Sequence, residues 1–397
     1  MKFGRRPGRP LLGALAFGLL GWMIEQTLRP LIALIVIDRG GDVVLVGVAA
    51  AAHALPSVLF RPVVGALADT PHHRHLMRSG AIGVALAPLG LLVPGTVPLL
   101  VARLLQGTAW AVYSVAGHTL VARLAPVERR GEISGYYQAM AALAGLLGPG
   151  IGVAVYISSG ELGPVVVASC LGLITVALAF RIGRGSKRPT TEPGPQRPRH
   201  SRWSRLMEPS ALPSTAMLTA FMSAQSLFFV FPPVYAVGVG APVESLAVYY
   251  PVFGTSAVLS QLVVGRLSDR IGRGTAIRIG CVLGIIGLVI AVAGSDLLVF
   301  GAGACVYVIG VSLVSPTLGA LTMDRAPANR IGSAMATYSI GYQIATGASS
   351  LLWGMVISVA GFPWAFLAAI ALQFATVGMS LLFVKPRGAT HSSNELR

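Results

Sequence analysis

Charge is what this sequence has least of. Only 11% of its 397 residues are Asp, Glu, Lys or Arg, less than half of the roughly 25% carried by ordinary soluble domains. Acids are scarcer than bases, 14 against 30, and lysine is nearly missing, with 3 of the 30. With 54% hydrophobic residues and a mean hydropathy of +0.74, this balance excludes a soluble globular chain. The 3 cysteines, Cys170, Cys281 and Cys305, all sit inside apolar runs, which excludes a disulfide framework or metal site and makes them small core residues. No GxxxxGK[ST] phosphate loop occurs, so ATP is not the driver of whatever the chain does. Strict apolar-polar alternation is missing as well, which excludes a membrane β-barrel.

What is present is a succession of continuous apolar runs. Each is about 18 to 25 residues long, enough to cross roughly 30 Å of hydrocarbon as a helix, and helices satisfy their own backbone groups in lipid. The runs place spans at about 11–36, 44–64, 77–94, 97–122, 134–157, 164–182, 213–237, 245–265, 275–294, 296–321, 332–357 and 362–384. Lys2, Arg5, Arg6 and Arg9 precede the first run in the manner of a signal peptide, but that run continues to Ile37. It is too long for a cleaved core and reads as an uncleaved first span.

The formal net charge of +16 would suggest nucleic acid in a soluble protein. Here the bases form no stripe interleaved with exposed aromatics, so no nucleic-acid partner is expected. They fall in alternate connections instead: Arg74 and Arg78; Arg123, Arg129 and Arg130; a run from Arg181 to Arg205; Arg266, Arg270, Arg273 and Arg278; Arg325 and Arg330; then Lys385 and Arg387. The other connections hold Asp38, Asp42, Glu161, Glu244 and Asp296, with Arg39 as their base. This is a positive-inside pattern, which predicts a multi-pass protein of the plasma (inner) membrane with both termini cytoplasmic and basic loops facing anionic lipid. The dominance of Arg, Ala, Gly and Val points to a GC-rich bacterial genome.

The spans divide into two sets of six. Residues 1–182 form the first helical bundle and 213–384 the second, joined by a basic Pro- and Ser-rich linker at 183–212 and followed by a tail at 385–397. The halves repeat. Gly65-Ala-Leu67-Ala-Asp69 returns 200 residues later as Gly265-Arg-Leu267-Ser-Asp269, and Ala125-Pro126 with Arg130-Gly131 returns as Ala326-Pro327 with Arg330-Ile-Gly332. Six spans per half make it a parallel repeat about an axis along the membrane normal.

These loops resemble the Major Facilitator Superfamily, over essentially the whole chain. Residues 265–273 (GRLSDRIGR) closely match its G-x-L-A-D-R-x-G-R-R signature, whereas residues 65–74 (GALADTPHHR) keep Gly65, Leu67, Asp69 and Arg74 but replace the middle bases. The resemblance implies an all-α fold of two six-helix bundles and a conformational latch built from Gly65, Asp69, Arg74, Arg130, Gly265, Asp269, Arg270 and Arg273. His72, His73 and His75 in the first copy either respond to pH or form a metal site, although no carboxylate or cysteine nearby completes one. Arg103-Leu-Leu-Gln106-Gly107 is similar to the family's R-x-x-Q-G motif. Gly145, Gly148, Pro149 and Gly152 are similar to the glycine-proline signature of its antiporters, where small residues allow close packing and the proline bends the helix.

Ionisable residues inside a membrane are functional candidates. Glu25 and Arg29 fall in span one and Arg103 in span four, and by helical rise Glu25 and Arg103 share a level. Glu25 is therefore expected to couple protons with Arg103 or Arg29 as its cationic neighbour; a fixed Glu25–Arg29 pair at i, i+4 is the alternative. Family architecture implies a cavity lined by spans one, four, seven and ten: Gln106, Trp110 and Tyr113, then Met222, Gln225, Phe229, Tyr307, Ser312 and Gln343. Trp110 and Tyr113 either stack on a flat ligand or simply pack. The second half offers no charge, which suits lipophilic ligands. His53 and His118 lie within spans with no acid in view, so they are expected to pack or bond locally, and an embedded enzyme is not expected. The resulting expectation is a monomeric, cofactor-free, proton-driven exporter of lipophilic small molecules resembling the multidrug-efflux branch. A facilitator or symporter importing a sugar, metabolite or metal chelate is the second possibility.

Overall fold

A backbone that must satisfy its own polar groups in lipid has helices as its simplest solution, and helices follow one another along this chain. The computed structural model of the protein describes residues 9–68, 73–124, 130–185, 207–327 and 330–384, with no strand among them. Asp69, His72 and most of the expected linker and tail lie outside the described residues.

Helices α1 (Arg9–Asp38), α2 (Val43–Ala68), α3 (His73–Leu86), α4 (Thr96–Leu124), α5 (Arg130–Ser159) and α6 (Leu162–Gly185) occupy the six expected spans of the first half. After α3 the chain tightens into a 3-10 turn over Ala87–Leu92, where Pro88 supplies no backbone donor. In the second half the expected seventh span is not one helix. It is broken into α7 (Leu212–Ser223), α8 (Gln225–Phe229) and α9 (Pro232–Gly238), with a 51° bend between Pro209–Phe229 and Pro232–Gly238. The cause of that bend is Pro232-Pro233: neither has an N–H, and their rings clash with the preceding turn.

Next come α10 (Leu246–Ile271), α11 (Arg273–Ala293), α12 (Leu297–Arg325) and α13 (Ile331–Phe383). At about 1.5 Å per residue, the 53 residues of α13 far exceed one bilayer of roughly 30 Å. Gly361, at φ 81° and ψ 174°, breaks it between the two expected final spans. Among the described residues, nine helices are individually long and apolar enough to cross a membrane, and the broken α7–α9 makes a tenth.

Cα proximity divides the chain into two compact units. One comprises Met1–His200 with Leu246–Gly254, and the other Ser201–Ser245 with Thr255–Arg397. The start of α10 thus clusters with the first unit, which the two-bundle division of the sequence did not anticipate.

In the first unit α5 packs along α1, α2 along α4, and α3 against α4 and α6. Lipid offers little hydrophobic drive for such contacts, so close approach through small residues takes its place. A side chain at Gly152 would meet the Thr27 carbonyl at 2.3 Å, and one at Gly148 would meet Gln26 Cβ at 2.7 Å. At one end of this unit Arg39 ties three connections together. Its Nε and Nη2 hold both oxygens of Glu161 at 3.0 and 2.5 Å, while Nη1 and Nη2 donate to the carbonyls of Val93 and Leu91 at 3.1 and 2.5 Å. Tyr156 donates its hydroxyl to the Asp38 carboxylate beside it. The second unit is organised around stacked and tilted aromatics: Phe221 on Tyr307, and Phe228 against Phe300, Tyr307 and Phe366.

Candidate functional site

Polar groups converge in the first unit where α1, α2 and α4 meet. On α1, Glu25 and Arg29 stand one turn apart, so Arg29 Nε reaches Glu25 Oε1 at 3.3 Å. On α2, His53 Nε2 lies 3.2 Å from the other carboxylate oxygen, Oε2, and makes no aligned hydrogen bond. No acid stands near His53 on its own span; the fold supplies one from a different helix, which no spacing along the chain reveals. On α4, Arg103 donates from Nε to the Ala49 carbonyl at 3.1 Å and from Nη1 to Gln106 Oε1 at 2.6 Å.

All four core members are buried, with 8% of Glu25, 7% of His53, 5% of Arg103 and 7% of Gln106 exposed. Arg103 shares the level of Glu25, as its rise along the helix predicts, but it grips α2 and Gln106 in place of the carboxylate. The i, i+4 pair with Arg29 is present as the alternative had it. Helix α4 comes this close to α2 because position 107 has no side chain: a Cβ there would sit 2.0 Å from the His53 carbonyl oxygen. Ser57 adds a hydrogen bond to the Gly107 carbonyl at 3.0 Å.

Beside the cluster is a cavity of about 20 Å³ lined by Ile24, Glu25, Pro88, Gln106 and Trp110 among others, enough for one water molecule. The buried Gln106 Nε2 has no partner. Trp110 therefore lines a cavity, though a small one, and sits edge-on to Trp22 with ring centroids 4.7 Å apart. Tyr113 packs, the second of the two roles open to it from the sequence. It is fully buried, stacks on Phe17 at 4.3 Å and donates its hydroxyl to the Phe17 carbonyl. Gly21 leaves the space its ring fills.

In the second unit the interruption after Ser223 decides what the expected lining residues do. Tyr307 donates to the Phe221 carbonyl at 2.8 Å, Gln373 Nε2 donates to the same oxygen at 3.1 Å, and Trp353 Nε1 donates to the Ser223 carbonyl at 2.8 Å. Tyr307 is thus fully buried and its hydroxyl is held by the backbone of α7. Ser312 spends its hydroxyl on Val308 of its own helix at 3.1 Å. Met222, Phe229 and Gln343 are buried as well, while Gln225, one residue past the interruption, keeps its buried Oε1 without a partner. Gln373 and Trp353 escaped the sequence reading; a glutamine deep in the last span was the available signal.

Among the expected latch residues, Arg273 pairs with Asp324 at 2.7 Å, joining the start of α11 to the end of α12. Arg330, at the matching repeat position, pairs with Glu208 at 2.8 Å. Neither acid was singled out from the sequence, since both lie outside the signature. Among the described residues no neighbour stands within 4 Å of where a Gly65 side chain would be. Arg74 is exposed in the first turn of α3, and His73 is buried with both ring nitrogens unpartnered. Arg130 opens α5, and Gly265, Asp269 and Arg270 lie on α10; their side chains are outside the described residues.

A model of the Major Facilitator Superfamily matches residues 11–350 and, in a second register, 252–397. The chain belongs to the Major Facilitator Superfamily. Curated relatives of this superfamily chain include an uncharacterised MFS-type transporter, YhhS, of Escherichia coli K12, 40% identical over 63 residues. The Salmonella enteritidis protein of the same name is 38% identical over 73 residues. These matches span only 16% and 17% of the relatives' own lengths. Among solved structures, a POT family transporter in complex with a thioalcohol-conjugated peptide superposes with a TM-score of 0.77 at 15% identity, covering 96% of each chain. The nucleoside transporter NupG gives 0.71 at 13% identity over 95% of this chain and 98% of its own. A bacterial homologue of the human lysosomal transporter Spinster gives 0.71 at 14% identity over 94% of both. At these identities the structures establish the fold. Family membership and the succession of long apolar helices make this chain a multi-pass membrane protein of a transporter superfamily.

Proposed function

We propose that this MFS transporter exports lipophilic small molecules by alternating access in exchange for protons, with Glu25 as the coupling carboxylate. The observation that carries this reading is the burial of Glu25 within a spanning helix beside Arg29 and His53. Insertion scales put a charge at such depth at about 2.5–3.5 kcal/mol, a cost that transporters accept where an ion pathway needs it. Support comes from α5, whose antiporter-like glycines Gly148 and Gly152 rest on Gln26 and Thr27, the residues directly after Glu25. A change in α5 would be felt at the carboxylate.

In this reading Arg103 and Arg29 set the charge around Glu25, Trp110 and Gln106 border the ligand path, and Gln225, Met222 and Phe229 shape the uncharged half of the pocket. Arg273 with Asp324 and Arg330 with Glu208 hold one end of the second unit closed. The protein acts as a monomer in a bacterial inner membrane with both termini cytoplasmic. The test is ethidium movement driven by a pH gradient in proteoliposomes. Glu25→Gln should reduce it to the level of empty vesicles, and gradient-driven movement equal to wild type would refute the role of Glu25.

One observation favours a second reading, uptake of a metabolite. The cluster holds two arginines, Arg29 on the carboxylate and Arg103 on Ala49 and Gln106, to one acid, a balance suited to an anionic group. Competition of ethidium movement by small carboxylates or phosphates, but not by lipophilic cations, would select it.

A further inference from the structure

The coupling reading leaves His53 without a task, yet it is the titratable group closest to Glu25 from another helix. Both carboxylate oxygens are engaged: Oε1 faces Arg29 Nε at 3.3 Å and Oε2 faces His53 Nε2 at 3.2 Å. A proton arriving at this cluster has two places to sit. On Glu25 it would neutralise the carboxylate and break its ion pair with Arg29, a costly loss for a pair largely withdrawn from water. On His53 Nε2 it would preserve the Arg29 pair and create a second one on the opposite oxygen. Imidazole is also the side chain whose charge changes nearest neutral pH.

We propose that the His53–Glu25 pair is the proton-binding site, with the proton carried on His53 Nε2 and the carboxylate acting as its fixed counter-charge. This rests on the proton-coupled reading above and relocates its proton. Only an N–H bond forms and breaks, the proton coming from water on one side and returning to water on the other. The charged groups acting on His53 are Glu25 and Arg29 from α1 and Arg103 from α4. Arg103 matters for the consequence. It holds the Ala49 carbonyl, one helical turn before His53, so a protonated His53 places a second positive charge beside that contact. Proton binding is thereby coupled to the α2–α4 packing at Gly107, where the two backbones are in direct contact.

The experiment uses full-length protein in lipid nanodiscs, labelled with 15N at its seven histidines, with His53→Gln to assign the resonance. The expected result is one imidazole signal, lost in His53→Gln, that takes up a proton between about pH 5 and 9. In Glu25→Gln that titration should move at least tenfold toward higher proton concentration, because the counter-charge is gone. Wild type and Glu25→Gln carry the measurement even if His53→Gln fails to fold, since the signal that responds to Glu25→Gln then identifies His53. A His53 signal that stays neutral over the whole range, or a titration indifferent to Glu25→Gln, overturns the proposal. Ethidium movement separates the two ideas. A titrating His53 in a wild-type protein that ignores the pH gradient refutes proton-coupled export alone, whereas full gradient-driven movement by a folded His53→Gln refutes the proton's place on His53.

Discussion

The interruption of α7 after Ser223 makes a quantitative prediction, because two side chains donate to one carbonyl there. Phe221 O accepts from Tyr307 at 2.8 Å and from Gln373 at 3.1 Å, and all three residues are fully buried. Tyr307→Phe removes one donor and leaves the ring stacked on Phe221. Interhelical hydrogen bonds in membrane proteins average about 0.6 kcal/mol with a maximum near 1.7, so the cost should be about 0.6 kcal/mol. Gln373→Leu removes the other donor, but also the buried Oε1 that has no partner. Relief of that group offsets the lost bond, and the single change should be close to neutral. The double variant strips Phe221 O of both side-chain donors in a place water does not reach, and a buried polar group left in that condition costs roughly 1–3 kcal/mol. The pair should therefore be non-additive by about 1.4 kcal/mol, the middle of that range less the roughly 0.6 kcal/mol of the singles. The assay is equilibrium unfolding in mixed micelles titrated with SDS, run on wild type, both single variants and the double. A double variant equal to the sum of the singles within about 0.5 kcal/mol would refute shared capping of this carbonyl.

Three further outcomes follow from the same physical reasoning. Gly107→Ala puts a methyl group 2.0 Å from the His53 carbonyl oxygen, so it should cost about 1–3 kcal/mol and impair transport. Thermal melts in detergent measure the loss. Arg273→Ala breaks a pair whose side chains are 33% and 55% exposed, so its melting should change by less than the equivalent of about 1 kcal/mol. Arg39→Lys replaces a fork that meets Glu161 and two carbonyls with a point charge, and should cost about 1–3 kcal/mol, read as faster hydrogen exchange at Leu45, whose N–H is held by Asp42 in the same connection.

The spans of the first half were legible in the sequence because lipid imposes a length on apolar runs, and α1–α6 fall where those runs lie. The fragmentation of the seventh span was signalled by Pro232-Pro233 alone; the interruption after Ser223 was not, since Ala224 and Gln225 are ordinary helix formers. The charges Glu25, Arg29 and Arg103 were conspicuous as ions in hydrocarbon, and helical rise put two of them at one expected level. Their partners were harder to see. Whether Arg103 turns to Glu25 or to Ala49 depends on the rotation of α4 about its axis, and Gly107 sets that rotation by contact with α2. His53 had no acid within reach on its own helix, so its pairing depends on tertiary structure. The hydrogen bonds of Tyr113 and Tyr307 were hidden for one reason: an aromatic hydroxyl at helical spacing looks the same whether it faces a ligand or a neighbouring carbonyl.

Arg39 has a mechanical consequence. The first six helices run as three hairpins, α1–α2, α3–α4 and α5–α6, and hairpins joined only through lipid-facing contacts would each pivot independently. A single guanidinium sits where the three turns converge, holding the turn of the second hairpin by its carbonyls and that of the third by a carboxylate. With that knot tied, torque applied to any hairpin at this end is delivered to all three.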